Sequence, residues 1–144
     1  MRTTPLAAFA AELAQRWSAH PDSHPALVAR LRRPEIVGMA WVALVPRVPR
    51  PGATSRLSAD IQSVFVRPEH RGRSTEARAP RPEQRGRGIG SALVAAASEH
   101  AARLGSLRVT VHSGRKAMPV YERLGFESSR RLLSRPPDQG PSAR

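Results

Sequence analysis

The chain contains no cysteine at all. Disulfides, thiolate metal ligands and an acyl-cysteine nucleophile are excluded outright, so any acyl transfer here is direct from donor to acceptor. Aromatic residues are scarce, at 4%. That leaves no stacking platform of the kind that holds single-stranded nucleic acid. Lysine is almost absent as well: of the 24 basic residues only Lys116 is a lysine. No apolar run approaches the ~20 residues that span a bilayer, and the N-terminus lacks the order of a signal peptide. A cytoplasmic protein with no membrane partner is therefore expected. His20 and His24 have a metal-like spacing. Pro21 and Pro25 place them in a loop without companion ligands, so no metal is expected.

What is present is positive charge, +13 over 144 residues. Basic surfaces attract polyanions, and a nucleic-acid-associated protein is one class this charge suggests. The arginines are scattered, however, and accompany abundant alanine and proline, so a generally basic surface is the stronger reading. The length suits one domain with one core, expected over residues 1–134, with a Pro, Gly, Ser and charge-rich tail at 135–144 expected to be disordered.

Along the chain, Thr4-Pro5 reads as the cap and first residue of a helix. Leu6, Phe9, Leu13 and Trp17 recur at helical spacing up to the stop at His20-Pro21. Pro25 to Leu31 suggests a second short helix. Glu35 to Val45 reads as a buried strand, Pro46 to Arg56 as a loop, and Leu57 to Val66 as a second strand antiparallel to the first. Ile89 to Leu104 reads as an alanine-rich helix stopped by Gly105, with Ile89, Leu93, Ala96, Ala97, His100 and Leu104 on one face. Leu107 to His112 then forms a strand and Lys116 to Leu124 a short helix. Phe126 begins a last strand.

Residues Arg67 to Arg73 read RPEHRGR and residues Arg81 to Arg87 read RPEQRGR, a local duplication at an offset of 14. The period is too short for a supersecondary repeat. Residues 67–80 therefore read as an insert between strand and turn. Only the second copy continues into glycines, as Arg85-Gly86-Arg87-Gly88-Ile89-Gly90, and leads directly into a helix. Backbone amides at such a turn, together with the positive end of the helix dipole, form a cradle for a pyrophosphate.

The order of strand, RGRGIG turn, alanine-rich helix, strand and then Tyr121-Glu122-Arg123-Leu124-Gly125-Phe126 resembles the GNAT superfamily of N-acetyltransferases over roughly residues 35–130. The turn matches the family's Arg/Gln-x-x-Gly-x-Gly/Ala loop at Arg85, Gly88 and Gly90. The later motif matches its Tyr-Glu-Arg-x-Gly-Phe close. The resemblance implies an α/β (α+β) acyl-CoA N-acyltransferase fold: a central mixed, mostly antiparallel sheet flanked by helices. Here it would lack the family's first strand and carry the 14-residue duplication before the pyrophosphate loop.

It also implies the chemistry. Acetyl-CoA would be the co-substrate and a primary amine, of a small molecule or a protein, the acceptor. The pantetheine arm would lie along Val64, Phe65 and Val66 as an added strand, with the pyrophosphate on Arg85 to Gly90. An amide near Phe65 or Val66 would stabilise the oxyanion. Tyr121 would be the acid, and Asp60 or His112 the base. A second copy of the chain, as a homodimer, would cover an exposed sheet edge. Two alternatives stay open: a catalytically silent acyl-CoA-binding module, and the basic nucleic-acid-associated protein.

Overall fold

The computed structural model describes residues 5–31, 34–71 and 88–129. Helix α1 spans Leu6–Ala19, followed by strands β1 (Ala26–Arg30), β2 (Ile36–Pro46) and β3 (Leu57–Val66). A 3-10 turn occupies Pro68–His70, and then come α2 (Ile89–Arg103), β4 (Ser106–Val111) and α3 (Met118–Arg123). The sheet has the order β1-β2-β3-β4. Its first two pairings are antiparallel and the β3–β4 pairing is parallel. A parallel neighbour needs a crossover, and α2 supplies it.

One face of the sheet and α2 make the core. Ala40, Val42 and Leu44 of β2 meet Ala59 and Ile61 of β3, and Leu93, Val94, Ala97 and Ala101 of α2 close over them. Small residues let the helix lie close: Ala97 and Ala101 are fully buried. Gly38 makes the tightest approach. A Cβ there would stand 3.0 Å from Leu93 Cδ1 and 3.1 Å from the Phe65 carbonyl oxygen.

The sequence reading is corrected at several points. Ala26–Arg30 is a strand, not a helix, because its backbone completes the free edge of β2, which outweighs the weak helical tendency of a five-residue run. Helix α1 begins one residue later than expected, with Pro5 outside it and its carbonyl accepting the Phe9 amide at 3.0 Å. Thr4 lies outside the described residues. The apolar stripe of α1 is not covered: Leu6 is 82% exposed and no residue of the helix is buried.

On α2, the buried face includes Ser91 and Val94, and Leu104 is half exposed. Phe126 to Ser129 form no strand. The positive φ of Gly125 (85°) turns the chain out of α3, and Phe126 folds back to donate its amide to the Tyr121 carbonyl at 3.0 Å. The remainder of that expected strand, the tail at 135–144 and most of the insert, 72–80, lie outside the described residues.

Candidate active site

Among the described residues, strand β3 pairs on both sides only in its first half. With β4 the register runs Leu57↔Ser106, Ala59↔Val109, Asp60↔Thr110 and Ile61↔Val111, and there it ends. With β2 the pairing continues to Gly38↔Val66. The change coincides with a bulge: Val42 pairs with Ile61 and Trp41 with Ser63, so Gln62 is an extra residue. A bulge bends its strand and reverses the alternation of faces. Ala59 and Ile61 point into the core before it, and Val64 and Val66 pack against the core after it.

The backbone directions of the open half follow from one hydrogen bond. The Arg67 amide donates to the Val37 carbonyl at 2.9 Å, so Arg67 faces β2. Alternation along an antiparallel pair then turns the backbone groups of Phe65 toward β2 and those of Val64 and Val66 toward the open edge. Of the two amides named as oxyanion donors, only that of Val66 lies on this edge.

A cleft of about 270 Å³ fills the fork, lined by Gln62, Ser63 and Val64 on one side and His112, Ser113 and Tyr121 on the other. Gln62, Ser63 and Ser113 were missed in the sequence. The signal for the first two is the spacing of three between Ile61 and Val64, where a regular strand would give two.

Tyr121 stands on α3, its ring edge-on to Phe126 with centroids 5.5 Å apart. Burial pushes its phenol above the ordinary value of 10.0, so the proton is held through the neutral range.

Asp60 and His112, read as alternatives, come together. Asp60 sits on the face opposite Ala59 and Ile61, and the Thr110 hydroxyl donates to its Oδ1 at 2.9 Å. His112 Nδ1 lies 4.0 Å from the same oxygen. His112 lines the cleft and Asp60 stands behind it.

Helix α2 starts beside the end of β3. A Cβ on Gly90 would meet only Val66 Cγ2, at 3.6 Å, and Gly88 has an ordinary extended backbone with φ −75°. Gly90 therefore meets the protein only in ordinary contact. A helix N-terminus of this kind, with its backbone amides and dipole, favours an anion. Ile89 has its side chain in the core, 4% exposed, so it offers a ligand only its main chain. Arg85, Gly86 and Arg87 lie outside the described residues. Among the described residues no group of three or more His, Cys, Asp or Glu could hold a metal, and no helix is long and apolar enough to cross a membrane.

A mixed sheet forked between two parallel strands, with a glycine-flanked helix N-terminus beside the fork, defines the acyl-CoA N-acyltransferase class of fold. The comparisons with known proteins agree. A family model described as an acetyltransferase (GNAT) domain matches residues 81–135, beginning at the first residue of the second repeat copy. The chain is 31% identical over 98 residues to a glucosamine 6-phosphate N-acetyltransferase of Trypanosoma brucei brucei, covering 68% of this chain and 55% of that protein. A solved Trypanosoma brucei acetyltransferase superposes with a TM-score of 0.62 at 26% identity, covering 94% of this chain and 84% of the other. A predicted acetyltransferase of Clostridium acetobutylicum, solved with acetyl-CoA, shares the fold with a TM-score of 0.66 at 15% identity, covering 93% and 79%. Residues 81–135 thus match the GNAT domain model, and the chain shares the fold of solved acetyltransferases while spanning about half the length of the trypanosomal relative.

Proposed function

We propose that this chain transfers an acetyl group from acetyl-CoA to a primary amine. The observation that supports the reading best is the one-sided half of β3, whose Val64 and Val66 backbone groups lie on the open edge and whose Val64 lines the cleft with Tyr121 and His112. An extended acyl-CoA arm fits such an edge as an added strand. The open N-terminus of α2 at Gly88 and Gly90, with Arg85 and Arg87 before it, suits the pyrophosphate.

Each residue then has a role. His112, oriented by Asp60, takes a proton from the attacking amine. The Val66 amide donates to the carbonyl oxygen as negative charge develops on it. As the C–N bond forms and the C–S bond breaks, Tyr121 gives its proton to the departing thiolate. The reading treats residues 1–134 as one catalytic domain working in the cytoplasm.

For the acceptor, the likeness to the trypanosomal glucosamine 6-phosphate N-acetyltransferase and the net charge of +13 both favour an anionic amine, such as an amino-sugar phosphate, over a polycation. The test is a thermal melt with acetyl-CoA, followed by a panel of glucosamine 6-phosphate, a polyamine and a lysine peptide, with release of free thiol as the signal. A melt unmoved by acetyl-CoA defeats the proposal. A shifted melt with no thiol from any amine replaces it with the silent binding module.

A further inference from the structure

The turn after β3 folds one arginine back onto the edge that the acyl arm needs. Pro68 opens the 3-10 turn, which is closed by the His70 amide on the Arg67 carbonyl at 2.9 Å and the Arg71 amide on the Pro68 carbonyl at 3.2 Å. Ion pairs brace it: the Arg67 guanidinium contacts Glu35 and lies 2.6 Å from Glu69. Arg71, the first residue of the first RGR copy, is thereby returned over the strand. Its Nε donates to the Val66 carbonyl at 2.9 Å, and its guanidinium carbon stands 5.6 Å from the centre of the Phe65 ring.

The Val66 carbonyl belongs to the open edge. We propose that Arg71 competes with the acyl-CoA arm for this carbonyl, and so sets how tightly the arm docks. The inference rests on the acetyl-CoA reading above. It also gives the first repeat copy a role distinct from the second: Arg85 precedes the glycines at the helix, whereas Arg71 reaches the strand. An exposed hydrogen bond and a cation–π contact are each modest, so Arg71 is a displaceable competitor and not a block.

The experiment compares Arg71→Ala with the unaltered chain, using two probes at matched salt. S-acetyl-pantetheine carries the arm without the nucleotide, and acetyl-CoA carries both. Competition at the edge predicts that Arg71→Ala binds both probes about 3- to 10-fold more tightly, the scale of one hydrogen bond. Equal affinities overturn the proposal while leaving the acetyl-CoA reading intact. Weaker acetyl-CoA binding with unchanged pantetheine binding also overturns it, and makes Arg71 a phosphate ligand. Binding of neither probe to either protein defeats the acetyl-CoA reading and the competition with it. A second measurement follows the contact directly: the Arg71 Nε–H signal, recorded by nitrogen-15 NMR, is expected to move toward that of a solvated guanidinium when acetyl-CoA is added. A signal that bound acetyl-CoA leaves unmoved overturns the proposal.

Discussion

The two halves of β3 share a strand and a partner in β2, yet they differ in everything that bears on function. Leu57 to Ile61 is paired on both sides, with Ala59 and Ile61 sealed in the core. Ser63 to Val66 is paired on one side among the described residues, and Phe65 is 46% exposed. The first half secures the sheet, and the second leaves backbone groups for a ligand to complete. A single extra residue, Gln62, separates the two. The contrast teaches that the site is made by interrupting a strand, with few side chains devoted to it.

The largest expected effect falls on the open half's chemistry. Tyr121→Phe removes the proposed acid and is expected to lower kcat by about 100-fold or more, with acetyl-CoA affinity unchanged, as a rate assay beside a binding isotherm would record. The same residue fixes a pH limit. Its pKa is raised in the folded chain, so the unfolded chain ionises first as pH climbs through about 10. Stability from this group is intact below that point and declines above it, and the rate falls on the same alkaline limb. A profile of melting temperature and rate from pH 8 to 11 checks both.

Deleting Gln62 would erase the contrast itself. Without it, Ser63 follows Ile61 and the faces alternate regularly from Leu57 to Val66. The strand should then run straight and close the fork, weakening acetyl-CoA binding by about 10- to 100-fold without lowering the melting temperature, since a regular ladder replaces a bulge. Retained affinity would show that the fork does not depend on the bulge.

Paired truncations sharpen the comparison in stability. Val42→Ala, at a fully buried position beside the closed half, is expected to cost about 2 kcal/mol by chemical denaturation, whereas Val64→Ala should cost about 1 kcal/mol or less. The smallest effect is expected at Asp60→Asn. If Asp60 only orients His112, kcat should fall by about 10-fold with KM for the amine unchanged.

Much of this arrangement was legible before the fold. The bounds of β3 and the start of α2 were carried by local signals: a loop rich in proline before the strand, a glycine turn and an alanine-rich period. The strand at Ala26–Arg30 was not, because five residues with two alanines have no distinct period and are settled only by the edge of β2. Tyr121, which lines the cleft, was singled out by its motif. The meeting of Asp60 with His112 was not, since it depends on the parallel register Asp60↔Thr110, which no single segment encodes. Arg71 lies in the insert and has no signal of its own in the sequence; its contact with Val66 arises from the fold-back of the turn.

Helix α1 has one further consequence. Its Trp17 meets Trp41 of β2, with ring centres 5.9 Å apart, and the chain contains 2 tryptophans in all. The whole indole emission of the protein therefore originates from the place where α1 touches the sheet. Seating of that helix, on acceptor binding or on heating, becomes readable from intrinsic fluorescence without any label, separately from the melting of the core.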